Sequence, residues 1–170
     1  MQAEVKQQVL KALETAIQAE IEGYHFFKMA ANSTHDPRGR EVFENLAEEE
    51  KLHARWLRAQ HKSIENSGEF DVEAEFGTPI HDPESPIFSE ALKSRAASAH
   101  FEMTALSVGV QLEADAQQHY REMAEMADHP EVSDLFRKLA DWEYAHYHAL
   151  LVQLEALKEE YWSANRFAPF

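Results

Sequence analysis

A chain of 170 residues, 44% of them hydrophobic, is long enough to bury a core of its own, and one domain over 1–170 is expected. The absence of cysteine excludes disulfides, thiolate catalysis, iron–sulfur clusters and cysteine-ligated iron. A formal charge of −15 disfavours nucleic acid and anionic membranes as partners and draws in cations. No run approaches the roughly 18 apolar residues that span a bilayer, and the polar start Met1-Gln2-Ala3-Glu4 lacks a signal-peptide core, so the cytoplasm is the expected location.

In chain order, Val9, Leu13, Ile17, Tyr24, Phe27 and Ala31 recur at helical spacing and predict a first helix over 3–32. Asn32 to Asp36 read as a turn, with Asp36 as N-cap and Pro37 as first-turn residue of a second helix. Its stripe of Val42, Phe43, Leu46, Ala47, Ala54 and Leu57 fades near 64, completing a helical hairpin over 3–64. Gly68, Gly77, Pro79, Pro83 and Pro86 break the pattern in an acidic crossover over 65–94, with a short helix expected from Ile87 towards Ala99. A second hairpin over 95–162 follows. Its first helix carries Leu106, Val110, Glu113 and Tyr120 and ends near 128–129, and Pro130 opens the last helix. Residues 163–170 form an aromatic tail ending Phe167-Ala168-Pro169-Phe170, expected to be non-helical.

The two hairpins are copies of one unit. Shifted by 93 residues without a gap, 11 of the 45 positions from 13 to 57 are identical, where roughly three are expected by chance. The matches include Leu13/Leu106, Pro37/Pro130, Phe43/Phe136, Leu46/Leu139 and Leu57/Leu150. Among them also stand Glu20/Glu113, Glu50/Glu143 and His53/His146. Two repeats are too few for a solenoid, so the fold class is an all-α four-helix bundle with one long crossover. Helices of this length run about 40 Å, which an extended crossover of some twenty residues can span.

Phe43, Leu46, Glu50, His53 and Leu57 form one seam, and Phe136, Leu139, Glu143, His146 and Leu150 form its copy. Glutamate and histidine therefore occupy positions where a bundle places leucine, and Glu20 and Glu113 also fall on inward faces. A lone Glu-x-x-His is usually a solvated face, and an inward histidine is usually a satisfied core residue. Two copies in register, each with a further inward glutamate, fit neither account. Four buried carboxylates repel unless protonated or met by cations, and two divalent ions offset four carboxylates beside two neutral imidazoles. Glu20, Glu50, His53, Glu113, Glu143 and His146 are thus the expected metal ligands. Glu50 and Glu143 are expected to bridge, with Glu20 and His53 on one ion and Glu113 and His146 on the other. Oxygen-rich ligation with one imidazole per ion suits iron or manganese. Glu49, one turn before His53, is set aside because its counterpart is Trp142, and Glu48 pairs with Asp141 on the flank. Tyr120 could hydrogen-bond a ligand carboxylate from outside, Tyr24 less directly, and core packing is the alternative for both. His25, His119 and His148 are assigned to flanks or loops.

Glu20, Glu50-x-x-His53, Glu113 and Glu143-x-x-His146, with the crossover between them, resemble the ferritin-like superfamily and its rubrerythrin branch over residues 3–160. The resemblance implies two iron ions per chain, reacting with hydrogen peroxide or dioxygen in a peroxidase or ferroxidase, and a homodimer. Iron storage, hydroxylation of an organic substrate, or a purely architectural bundle are the other readings. Two departures stand out. Ala116 occupies the position of a further rubrerythrin glutamate, and no cysteines exist to form a rubredoxin domain, so a separate electron-donor protein is implied.

Overall fold

The computed structural model describes residues 3–71, 74, 89–94, 99–127 and 130–165. Five helices are present among them: α1 (Ala3–Ser33), α2 (Pro37–Ser67), α3 (Glu90–Lys93), α4 (His100–Met126) and α5 (Pro130–Ala164). α1 packs on α2 and α4 on α5, and the two hairpins meet where α1 faces α4. The result is the four-helix bundle of two hairpins joined by a crossover.

The buried face of α1 runs Val9, Leu13, Ala16, Glu20, Gly23, Phe27 and Ala30, in alternating steps of four and three. This is the narrow seam that keeps long antiparallel helices in contact along their whole length. Asp36 caps α2 as expected, its carboxylate accepting from the Gly39 amide at 2.9 Å. The same carboxylate accepts from the backbone amide and the hydroxyl of Ser89, the N-cap of α3, so the far end of the crossover is tied to the α1–α2 turn. Thr34, fully buried in that turn, donates to Glu102 of α4 at 3.1 Å and joins the hairpins at this end.

Helix ends depart from the sequence reading by a few residues. α2 continues to Ser67 because Gly68 adopts a left-handed conformation (φ 75°), and its amide closes on the Ile64 carbonyl. α4 stops at Met126, and α5 runs to Ala164. The expected short helix is, among the described residues, the single turn of α3. Most of the crossover and the aromatic tail from 166 onwards lie outside the described residues. After α2 the chain first turns back along it. The Gln60 side chain, almost wholly buried, both donates to the Asp71 carbonyl and accepts from the Asp71 amide, and Trp56 donates to the Ala74 carbonyl.

The core falls into two apolar layers. Phe27, Phe43, Leu46, Leu106, Leu150 and Leu154 belong to one, and Leu13, Leu57, Tyr120, Phe136 and Leu139 to the other. The six inward Glu and His residues lie on the same seams between these two sets, so hydrocarbon flanks the polar cluster along the bundle axis. No described helix is long and apolar enough to cross a membrane.

Candidate metal centre

Glu20 comes from α1, Glu50 and His53 from α2, Glu113 from α4, and Glu143 and His146 from α5. None is more than 4% exposed. The i, i+3 spacing puts each glutamate–histidine pair on one face, and the seam turns that face inward. Two overlapping groups of potential ligand atoms result: Glu20, Glu50 and His53, and Glu50, Glu113, Glu143 and His146. Within each group the atoms lie within 4.8 Å of one another. Glu50 belongs to both. Glu143 also faces both sides, with Oε1 3.4 Å from His53 Nδ1 and Oε2 3.5 Å from His146 Nδ1. The imidazole rings lie nearly parallel, 5.9 Å apart, and each presents Nδ1 to the shared carboxylates.

Several of these buried atoms have no hydrogen-bond partner in the protein: Glu50 Oε1, Glu113 Oε1, both oxygens of Glu143 and Nδ1 of His146. Buried polar atoms are almost always paired, and here the exceptions converge on one place from α2, α4 and α5. Acceptors facing acceptors cannot satisfy one another, but a cation between them can. The donor set therefore fits a metal ion.

Without a cation, protons must do the balancing. Burial, and then the charges of Glu143 and Glu50, raise the Glu20 carboxyl well above the ordinary range. Burial and the same two charges raise Glu113. Burial also opposes ionisation of Glu143, but the close approach of the His146 and His53 imidazoles, at 3.5 and 3.4 Å, outweighs it and holds this carboxyl well below its usual value. Desolvation works against a charged His53, yet Glu143 and Glu20 push it up to about 10. His146 moves the same way against its own desolvation, through Glu143, Glu49 and Glu50.

Tyr120, fully buried, donates its hydroxyl to Glu20, as the sequence suggested it could. Desolvation and the Glu20 charge keep it a phenol. Tyr24 instead packs at the edge of the core with Lys51 over its ring. His25 and His148 are exposed, in keeping with their assignment to flanks. His119, also assigned to a flank, is half-buried and lines a cleft of about 250 Å³ between α1 and α4 that reaches Glu20, Glu50 and Glu113. Glu48 is a flank residue paired with Lys51, but Glu49 is 1% exposed and its Oε2 lies 2.7 Å from His146 Nε2. Sequence reasoning missed this contact, because a repeat reveals what two halves share and Glu49 faces a residue of the other half.

The rubrerythrin family model matches residues 11–151 and, separately, 104–166. A solved structure of a hypothetical protein from Pyrococcus furiosus is 27% identical, covering 89% of this chain and 90% of that one, with a TM-score of 0.62. No curated protein matches the sequence. The family match spans both hairpins and all six converging side chains, and the chain belongs to the rubrerythrin family.

Proposed function

We propose that the protein is a non-haem di-iron oxidoreductase whose oxidant is hydrogen peroxide or dioxygen. The observation that carries this reading is the convergence of unpartnered buried carboxylate oxygens and an imidazole nitrogen on one centre. Glu20 and His53 would hold one ion and Glu113 and His146 the other, with Glu50 and Glu143 shared, as their positions between the two histidines favour. When bound, an iron pair supplies electrons to the oxidant and a Lewis-acid site for its oxygen atoms. Manganese fits the same donors.

The chain's own residues supply the rest. The flanking apolar layers limit water around the cluster, and Tyr120 fixes the orientation of Glu20. The α1–α4 cleft offers a small oxidant a way in beside Gly23 and Ala116. The electrons that restore the reduced state would come from a donor protein. A second reading, hydroxylation of an organic substrate, is favoured by an apolar cavity of about 350 Å³ between the start of α1 and the end of α4. It shares Thr15 and His119 with the cleft.

Anaerobic loading with two Fe²⁺ per chain, followed by stopped-flow mixing with either oxidant, tests the proposal. Ferric absorbance should appear within the mixing experiment, and its absence with both oxidants sinks the reading. Faster oxidation by peroxide supports a peroxidase. Faster oxidation by dioxygen with continued iron uptake supports a ferroxidase, and an oxygenated organic product supports the second reading.

Gly23 offers a check on geometry. A Cβ there would lie 3.1 Å from Glu50 Oε2 and 3.2 Å from its carboxyl carbon. Gly23→Ala is therefore expected to push the shared carboxylate aside and weaken metal binding about tenfold. The helix itself gains up to about 1 kcal/mol from the same change. A titration beside a melting curve would show the two effects moving in opposite directions, and unchanged affinity would place the Glu50 carboxylate elsewhere.

A further inference from the structure

The internal two-fold is broken around the cluster at several positions, and two of them bring a polar group to a ligand side chain in one half only. Phe27 and Tyr120 are repeat counterparts, and each stacks on the equivalent ring of its own hairpin. Phe27 lies 6.4 Å from Phe43 at 18°, and Tyr120 lies 6.2 Å from Phe136 at 24°. The ring packing is thus the same in both halves, and the hydroxyl that reaches Glu20 is the difference. Glu49 and Trp142 are also counterparts. Glu49 brings a carboxylate to Nε2 of His146, whereas Trp142 packs its indole at right angles to the His53 ring, with ring centres 5.0 Å apart.

The two halves therefore differ in the charge that their ligands can present. On the Glu20/His53 side a neutral donor draws charge from the glutamate. On the Glu113/His146 side a buried carboxylate accepts the Nε2 proton of the histidine. That second contact fixes the tautomer with the Nδ1 lone pair directed at the cluster, and it adds negative charge where little water screens it.

Given the metal-pair reading above, we propose that the two metal positions are inequivalent: Glu49 makes the Glu113/His146 position the tighter one and the first to fill, while Tyr120 leaves the Glu20/His53 position the more readily exchanged. Glu49 and Tyr120 are positioning residues here, acting through His146 and Glu20.

Anaerobic titration of the metal-free protein with Co²⁺ against a chromophoric chelator tests this. The wild-type chain should take up two ions in steps separated by about tenfold or more in affinity. Glu49→Gln keeps the shape but not the charge, and should weaken the first step by about 10- to 100-fold, bringing the two together. Tyr120→Phe should tighten the second step and leave the first unchanged. The first equivalent of Co²⁺ should shift one exchangeable imidazole N–H signal in the proton NMR spectrum. In Glu49→Gln that proton should exchange with water faster, which loss of packing alone would not produce. Circular dichroism identifies any variant that has failed to fold, and the other variant then carries the test.

Fewer than two Co²⁺ on the wild-type protein overturns the metal-pair reading and this inference with it. Two ions bound with equal affinity overturns the inference alone. So does a Glu49→Gln chain that folds and binds both ions as the wild type does.

Discussion

Glu50→Leu is expected to abolish binding of the metal pair and, in the same protein, to raise the melting temperature of the metal-free form. Glu50 is the one residue in both potential ligand groups, so its loss removes a donor from each position. In the absence of metal it is a liability. Its charge helps drive the Glu20 and Glu113 carboxyls towards protonation, and its Oε1 has no hydrogen-bond partner. The seam around it already carries Leu46 and Leu57, so a leucine in place of Glu50 would continue the stripe between two apolar layers. Replacing a buried ionic group by hydrocarbon of similar size is often neutral or stabilising by about 1–4 kcal/mol. For a chain of this length each kcal/mol moves the midpoint by about 2–4 °C. Metal analysis after dialysis and calorimetry of the stripped protein read the two effects. Retention of two ions per chain refutes the ligand assignment, and a fall of several degrees in the stripped protein refutes the account of Glu50 as a destabilising buried charge.

The second large effect is on pH. Metal-free protein is expected to lose stability steadily as the pH rises from about 7 to 10, and metal-loaded protein to lose far less. His53 has its pKa raised from 6.5 to about 10 in the folded chain. Its contribution is fully present below 6.5 and disappears as the pH climbs through 10. His146 is shifted the same way. Glu20 and Glu113 are also raised, so their contributions are present below the ordinary 4.5 and decline above it. Glu143 is lowered and has the opposite sign, but its window lies in strong acid. All the alkaline-side shifts therefore point one way. Metal replaces these protons, so affinity should rise with pH and binding should release protons, measurable by calorimetry in buffers of different ionisation enthalpy. At a hundred times the dissociation constant one bound ion adds about 2.7 kcal/mol. Parallel melting curves for stripped and loaded protein across this range would contradict the picture.

How much of this was legible in the sequence follows from what a repeat can encode. The register of 93 residues carried the hairpins, the inward seams and the six polar positions, because each is present twice. Asp36 and Pro37 announced the start of α2 through local cap chemistry alone. The contact between Glu49 and His146 links α2 to α5 across 97 residues and has no counterpart, so neither periodicity nor repetition could show it. Nothing in the local pattern singles out Gln60, which is nearly buried because the returning chain at Asp71 supplies both of its hydrogen bonds. The end of α2 shifted for a smaller reason: hydrophobic periodicity fades before the helix does, and the left-handed Gly68 sets its end. The half-buried place of His119 depended on how α1 meets α4, which periodicity within one helix does not specify.

The halves of the cluster are contributed by separate hairpins, and this bears on why both are on one polypeptide. A symmetric dimer of either hairpin would present every residue twice. A glutamate at the position of Glu49 would then recur where Trp142 stands, and a tyrosine at the position of Tyr120 where Phe27 stands. A fused pair of copies escapes that constraint. Once both lie on one chain, a substitution can alter one side of the centre and spare the other, so the two sides are free to diverge in role. Residues 49/142 and 27/120 are places where the two halves of this chain differ in that way, while the six inward Glu and His residues are the same in both.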